Sequence, residues 1–225
     1  MKPRKSTLLI GTSDGLVVLS SPPVPSGLWQ AAPRQLEGEW VTSITPATCH
    51  DPTAYLLTTR SGKVAALKRG KIVVCHDLAM RLWFATELSD GRVCVGTSGK
   101  GLMVFDTKSG SWQSLGALNL LLQNLGWHSH SGGGVHLNTL LVNPVRSIVY
   151  VAGEVGGVMR GSADLTTWED VTFDLDPDVH TIASDTRAVD TLYAATGSGL
   201  FRRTSDTSHW DRLGPDSFPY VQGVV

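Results

Sequence analysis

Short runs of apolar and β-branched residues alternate along the chain with turns rich in glycine, serine, threonine and aspartate. This pattern is typical of β-strands joined by tight turns, and a helical period of about 3.6 residues is suggested only between Leu118 and Leu125. One motif recurs, in which a strand ends, a turn containing glycine follows, and a second strand leaves. The copies of this motif lie at 8–18, 55–65, 93–104, 149–159 and 192–201.

The motif repeats at a nearly regular interval. Its turn glycine stands at Gly15, Gly62, Gly101, Gly157 and Gly199, which gives spacings of 47, 39, 56 and 42 residues. Most units end in a third strand that opens with tryptophan, and an apolar inner strand then begins the next unit. Four short strands in about 40–45 residues are typical of propeller blades. The sequence therefore predicts an all-β fold, a five-bladed β-propeller of four-stranded antiparallel blades.

The two ends of the chain complement each other in this repeat. The N-terminus begins with the second strand of a unit, whereas Tyr220–Val225 is an inner strand with nothing after it. We therefore predict that the N- and C-terminal strands pair, which closes the ring and removes an exposed sheet edge; a fragment of a longer ring is the alternative. Residues 1–225 are interpreted as one domain, with a long inserted top-face loop at 117–134. The predicted blades are 218–225 plus 6–35, 39–76, 80–116, 135–173 and 178–214.

Composition and charge narrow the class of function. The 225 residues include 24 glycines, 11 prolines, 19 basic and 20 acidic side chains. A near-neutral balance without a long basic run argues against nucleic acid as a partner, and no apolar stretch reaches the roughly 18 residues of a membrane span. The three cysteines, Cys49, Cys75 and Cys94, are too few and too scattered for a disulfide framework. We therefore expect a cytoplasmic protein with reduced thiols, with a removed secretion signal as the alternative.

Several segments give the chain a resemblance to a known superfamily. Residues 191–202 are similar to the middle of a blade in the BNR/Asp-box propellers, Ser162–Trp168 and Thr204–Trp210 resemble Asp boxes, and 127–136 resembles a segment of uncharacterised bacterial members. This sialidase-like superfamily also contains the photosystem II assembly factor group, and the resemblance implies the propeller fold. It does not imply sialidase activity, because that chemistry clamps a carboxylate with three arginines from inner strands. Here only Arg81 sits beside an inner strand.

Five of the seven histidines map to one face of the predicted ring. His128, His130 and His136 lie in the long connection, His180 begins an inner strand, and His76 lies just before one. Neutral imidazole is a common ligand of transition metals, and a His-x-His pair in extended backbone directs both rings to the same side. We therefore consider one divalent transition metal ion (Zn, Cu, Fe, Mn or Ni) bound by these histidines. Solvated or structural histidines are the alternative.

Residues near the starts of inner strands form a candidate ligand site at the mouth of the channel. Trp83, Asn138 and Gln222 fall near these starts, and Trp127 belongs to the long connection. Trp83 fits equally well as core between blades. The acidic residues of segment 174–178 are interpreted as a solvated loop in preference to a cation site.

These features support three hypotheses about function. In the first, the protein is a soluble binding propeller that accepts a small molecule or a protein segment at the top of the channel, with a histidine-held metal as an option. In the second, it is a metal-dependent enzyme of hydrolase or oxygenase type, whose metal activates water or dioxygen. In the third, it is a protein-interaction scaffold or assembly factor. The residues leave open whether the protein is an enzyme, and they identify no catalytic residue.

Overall fold

A computed structural model describes residues 6–22, 27–47, 53–130, 134–185, 187–188, 190–204, 207–215 and 220–224. Nineteen strands within these residues form five antiparallel sheets, arranged as the blades of a β-propeller. The prediction of an all-β, five-bladed propeller is confirmed. The chain divides into two compact units, Met1–Ala85 and Thr86–Val225, which are described in turn.

The first unit contains two sheets, with strand orders β1-β2-β3 and β4-β5-β6-β7. Its core is built from apolar side chains of both sheets, and Leu16, Leu57 and Ala65 in this core are fully buried. Alternating strand residues supply these side chains, since successive residues of a strand point to opposite faces. The strands are β1 Thr7–Thr12, β2 Gly15–Ser20, β3 Gln30–Ala31, β4 Val41–Pro46, β5 Tyr55–Thr59, β6 Lys63–Lys68 and β7 Lys71–Asp77.

The remaining three sheets have four strands each and follow the same order as the chain. One core of the second unit joins the last two sheets and includes Val158, Ala194 and Trp210. The third sheet comprises β8 Leu82–Glu87, which begins just before the boundary of the units, β9 Val93–Thr97, β10 Leu102–Asp106 and β11 Ser111–Ser114. The fourth comprises β12 Leu137–Asn143, β13 Ile148–Gly153, β14 Gly157–Ser162 and β15 Trp168–Asp170. The fifth comprises β16 Val179–Ser184, β17 Leu192–Thr196, β18 Gly199–Arg203 and β19 Asp211–Leu213.

The glycines that mark the sequence repeat have a common backbone conformation. All five have a positive φ, between 65° and 142°, which is the region that glycine adopts without steric cost. Space is restricted there as well. A Cβ atom on Gly15 would lie 2.5 Å from the carbonyl oxygen of Gln35, and one on Gly157 would lie 2.2 Å from Oγ1 of Thr172. Glycine therefore recurs at these positions because the backbone conformation and the restricted space of the turn favour it over other residues.

The turn between β14 and β15 is held by a carboxylate. Oδ1 of Asp164 accepts hydrogen bonds from the main-chain N–H of Thr166 at 3.1 Å and from its hydroxyl at 2.8 Å. The hydrogen bond from Ser162 is the largest cause that lowers the pKa of Asp164 below its ordinary value. The similar segment Thr204–Trp210 includes residues 205 and 206, which lie outside the described residues.

Closure of the ring by pairing of the terminal strands stays a prediction. Among the described residues the first sheet has three strands, and Tyr220–Val224 has no strand conformation. This segment instead contacts the fifth sheet: the N–H of Val221 donates to the carbonyl oxygen of Thr196, and the N–H of Val224 donates to the hydroxyl of Thr181, both at 3.0 Å. These two donors are therefore used within the second unit.

The long connection predicted as a loop at 117–134 begins with a helix, α1, which spans Gly116–Asn124. Leu118 and Leu122 are four residues apart and both buried, so one face of the helix packs inward. The apolar period seen between Leu118 and Leu125 is thus a real helical signal. No helix in the described part of the chain is long and apolar enough to cross a membrane.

Asn119 attaches α1 to the turn between β9 and β10. The buried amide accepts a hydrogen bond from the N–H of Leu102 at 3.1 Å, and it donates to the carbonyl oxygen of Lys100 at 2.7 Å and to the hydroxyl of Ser114 at 2.8 Å. Leu102 and Ser114 belong to strands of the third sheet, and Lys100 lies in the turn between two of them. The helix is therefore positioned by a polar contact as well as by its leucines.

We expect Asn119→Ala to lower the free energy of unfolding by about 1–3 kcal/mol, because it leaves main-chain groups of residues 100 and 102 without this partner. Urea titration followed by circular dichroism measures the change. Gln123→Ala is the matched control, since Gln123 is an exposed amide on the same helix, and its effect is expected to stay within about 0.5 kcal/mol. Equal effects of the two substitutions would contradict the anchoring role of Asn119.

Candidate functional site

Two neighbouring sheets of the second unit present polar side chains at the starts of their first strands, β12 and β16. Both strands have a β-bulge at the second residue, because the pairing with the next strand skips Asn138 in β12 and His180 in β16. A bulge leaves one residue out of the ladder and redirects its side chain. Nδ2 of Asn138 donates to the carbonyl oxygen of Val179 at 2.9 Å, which joins the two strand starts.

His136 and Glu154 form one half of a polar cluster at this edge. His136 immediately precedes β12, and Glu154 immediately follows β13. Nδ1 of His136 lies 2.6 Å from Oε2 of Glu154, and the N–H of Glu154 donates to the carbonyl oxygen of His136 at 3.2 Å. The side chain of His136 is 7% exposed and that of Glu154 is 27% exposed. A buried imidazole thus holds a carboxylate that still reaches solvent.

Asp178 forms the other half, together with two imidazoles from distant parts of the chain. Its Oδ1 lies 3.3 Å from Nε2 of His130, and its Oδ2 lies 3.4 Å from Nε2 of His180. The N–H of His130 also lies 3.4 Å from Oε2 of Glu154. His130 therefore connects the two halves. We call His130, His136, Glu154, Asp178 and His180 the acid–histidine cluster.

The hydrogen bond of His180 to the C-terminal segment shows which ring nitrogen carries a hydrogen. Nδ1 of His180 lies 2.6 Å from the carbonyl oxygen of Val221. A carbonyl oxygen only accepts hydrogen bonds, so Nδ1 carries a hydrogen and Nε2 is the atom turned to Asp178. The His180 ring also lies 4.6 Å from the ring of Tyr220, centroid to centroid, and Tyr220 is 60% exposed. The cluster is thus bordered by an accessible aromatic side chain.

Several members of this cluster were predicted from the sequence as site residues. Three predicted metal ligands, His130, His136 and His180, lie in it, and the predicted ligand-binding residue Asn138 lies beside it. The structure links these histidines through carboxylates. In the described part of the chain, no group of three or more His, Cys, Asp and Glu side chains is arranged to hold a metal ion.

The other predicted residues of this unit lie around the cluster. His128 is exposed, and its Nδ1 is 2.8 Å from the carbonyl oxygen of Gly126. Gln222 is exposed in the C-terminal segment. Trp127 is 5% exposed and packs against the glycines that flank Glu154: a Cβ atom on Gly156 would lie 2.1 Å from Cδ2 of Trp127. Trp127 therefore supports the turn that carries Glu154.

Two predicted residues belong to the first unit. His76 lies in β7, the last strand of its sheet, opposite Val64 of β6. Trp83 lies in β8 and is half-buried, and the guanidinium carbon of Arg81 is 5.6 Å from the centre of its ring. Their assignment to a metal or ligand site stays a prediction from the sequence.

Sequence reasoning missed Glu154 and Tyr220 as members of the site. Glu154 occupies the turn after β13, where the repeat in β17–β18 has Gly197 and Ser198. Other repeats carry charged residues in this turn as well, at Asp14, Arg60 and Lys100, so alignment of the repeats would not have singled out Glu154. Tyr220 also carries no signal in the sequence, because its contact with His180 depends on the path of the C-terminal segment.

Comparison with solved structures finds extracellular domains whose fold is similar to that of this chain. The chain is similar to the extracellular domain of a protein described as a hybrid two component system from B. thetaiotaomicron, with a TM-score of 0.69, 15% identity and coverage of 100% of this chain. It is also similar to the extracellular domain of a one component system from B. thetaiotaomicron, with a TM-score of 0.62, 16% identity and 94% coverage. The chain spans 30% and 26% of those two structures.

The other comparisons give no match. No protein-family model matches the sequence, and no curated protein does. The resemblance to the BNR/Asp-box propellers therefore stays a prediction, whereas the propeller fold is shown.

The predicted cytoplasmic location is contradicted by these comparisons. The structural neighbours are extracellular domains. Three scattered cysteines do not decide the compartment, since a protein with few thiols can lie on either side of a membrane. Cys75 is exposed, Cys94 is buried and both are free, while Cys49 lies outside the described residues.

We expect Gly156→Ala to destabilise the protein by about 1–3 kcal/mol, because the added methyl group overlaps the Trp127 ring. Gly156 has no positive φ, so the clash is steric. Thermal unfolding measures the effect. Gly116→Ala is the control, since a Cβ atom there meets nothing within 4 Å. A melting temperature lowered equally by both substitutions would show that Trp127 is not wedged against this turn.

Proposed function

We propose that this chain is a ligand-binding β-propeller domain and that its binding site is the acid–histidine cluster. The observation that carries the proposal is the meeting of two partly exposed carboxylates, Glu154 and Asp178, with three imidazoles beside the accessible ring of Tyr220. The similarity to extracellular domains supports a place outside the cytoplasm, as the binding part of a larger protein.

The partial exposure of the carboxylates favours binding over a purely structural role. An ionised carboxylate buried without full pairing costs free energy, so a carboxylate that serves only structure is better placed in water or fully paired. Here Glu154 is 27% and Asp178 is 24% exposed, and each already contacts imidazole. The exposed part of each carboxylate is accessible to a ligand.

The chemistry of the cluster defines the kind of ligand. Ionised carboxylates accept hydrogen bonds and do not donate them. The ring of Tyr220 offers an apolar face next to these acceptors. A small molecule that carries several hydroxyl or amino groups on a compact body satisfies both surfaces. We infer that the site takes such a donor-rich polar ligand.

We expect saturation-transfer difference NMR, with a panel of polyhydroxyl compounds and amines, to reveal ligands that bind the full chain. Asp178→Asn and Glu154→Gln keep side-chain size but remove the charge, and each is expected to weaken binding by about tenfold or more, since hydrogen bonds to charged groups are the strong ones. Glu169→Gln is the matched control because its carboxylate is 64% exposed on β15, outside the cluster. Binding that survives both cluster substitutions would overturn the proposal.

The same measurement separates this proposal from the metal-dependent hypotheses. Binding to the cluster itself is expected to persist in the presence of a chelator. Loss of binding in the chelator, with recovery on addition of Zn²⁺, would instead favour a histidine-held metal. Metal analysis of untagged protein and of the variants His128→Ala and His180→Ala would then locate the ion.

A further inference from the structure

A second pocket lies on the flank of the last two sheets, between β13 and β14 on one side and β17 and β18 on the other. Its volume is about 320 Å³. The register explains how four of its side chains meet. Tyr150 lies directly opposite Arg160 in the fourth sheet, and Leu192 lies directly opposite Arg203 in the fifth. Each sheet therefore contributes one arginine with its cross-strand partner. We call this the arginine pocket.

The third arginine of the pocket is already neutralised. Arg146 pairs with Asp190 through two hydrogen bonds, Nε to Oδ1 at 2.7 Å and Nη2 to Oδ2. The bonds from Arg146 hold the pKa of Asp190 below its ordinary value, so the carboxylate is ionised and matched by one arginine. This pair lines the pocket without adding net charge. Any net positive charge in the pocket therefore comes from Arg160 and Arg203.

Arg160 and Arg203 are weakly compensated. Nη1 of Arg160 lies 3.5 Å from Oε2 of Glu169, and both side chains are about half exposed or more, at 47% and 64%. Exposed pairs of this kind contribute little. Arg203 pairs with no acidic side chain among the described residues; its guanidinium carbon lies 5.9 Å from the centre of the Phe173 ring, and its buried Nε has no hydrogen-bond partner there. The pocket therefore has an excess of positive charge.

The remaining lining complements this charge. Tyr150 is 7% exposed, and burial is the main cause that raises the pKa of its hydroxyl above the ordinary value. The hydroxyl therefore stays protonated at neutral pH and is able to donate a hydrogen bond. Ile148 and Leu192 supply an apolar wall. Guanidinium groups, a hydroxyl donor and an aliphatic wall together suit an acid group attached to an apolar body.

We propose that the arginine pocket is a second binding site, specific for a small organic anion whose oxyanion group sits between Arg160 and Arg203. Guanidinium recognises carboxylate, phosphate and sulfate groups alike, because its planar donors match paired oxygens. The volume lies within the range of small-molecule sites, about 300–1,000 Å³. The pocket shares no residue with the acid–histidine cluster. Its arginines would bind an acidic group, whereas the carboxylates of the cluster would bind hydrogen-bond donors.

Isothermal titration of the full chain with phenyl phosphate, phenyl sulfate and benzoate tests the site, with benzyl alcohol as the uncharged probe. We expect at least one anion to bind and benzyl alcohol not to bind. The strongest of the three identifies the acid group as phosphate, sulfate or carboxylate. The affinity is expected to fall with added salt, because the attraction is between charges. Failure of all three anions to bind at millimolar concentration would overturn the proposal.

Two variants distinguish this pocket from general attraction to a basic surface. Arg203→Ala is expected to weaken anion binding about tenfold or more. Arg202→Ala removes the same charge from the next residue of β18, which points to the opposite face and pairs with Asp211, and it is expected to leave binding unchanged. Equal losses in the two variants would overturn the proposal.

Two further variants, Arg160→Ala and Glu169→Gln, test the same site if Arg203→Ala fails to fold. Arg160→Ala changes a half-exposed side chain on a different strand, so it is expected to fold and still to weaken binding. Glu169→Gln removes the competing carboxylate and is expected to tighten anion binding, while leaving any ligand of the acid–histidine cluster unaffected. Unchanged affinity in Arg160→Ala would contradict the assignment of the oxyanion to this pocket.

Discussion

The contact of one carboxylate with two imidazoles organises the polar edge of the second unit. Asp178 immediately precedes β16, and its carbonyl oxygen accepts the N–H of Gly197, so its position is fixed by the fifth sheet. Its carboxylate then draws in His130 from the connection after α1 and His180 from the bulge of β16. A partly buried carboxylate is stabilised by such partners. The partners in turn determine what surface remains for a ligand.

The β-bulges explain how a propeller edge acquires this chemistry. In a regular strand, the second residue of β16 would stay in the ladder with its side chain on an ordinary face. The bulge releases His180 from the ladder, and its ring then reaches both Asp178 and the carbonyl oxygen of Val221. Asn138 occupies the same position in β12 and uses its freedom to bond β16. The same bulge is therefore repeated in two neighbouring blades. In the fourth sheet it lets Asn138 bond the next blade, and in the fifth it places His180 in the candidate site.

The arginine pocket, on the flank of the same two sheets, is formed by residues from regularly paired parts of the strands. Tyr150 with Arg160, and Leu192 with Arg203, are ordinary cross-strand pairs. Their side chains line one pocket between the two sheets. Acceptors thus concentrate at the starts of the first strands and cationic donors at the flank. The two regions differ in charge because they draw on different residues of the same blades.

Much of the fold was predictable from local sequence. The turn glycines repeat because each has a positive φ, and glycine is the residue type that adopts this conformation most easily. The position of each turn is therefore visible in the sequence. The helix after β11 was harder to predict, since α1 is short and its apolar period covers only a few residues. The contacts of the C-terminal segment could not be predicted, because the apolar pattern of residues 220–225 does not show which main-chain groups will accept its hydrogen bonds.

The sequence by itself determined the strands, the turns and the histidine-rich character of one edge, because these depend on residue type and spacing along the chain. Only the tertiary structure decided which side chains meet. Glu154 is far from Asp178 in the sequence, and both became members of one cluster through the packing of neighbouring sheets and the reach of His130. Contacts between distant segments depend on how sheets pack and how connections cross them, and neither is encoded in a local pattern.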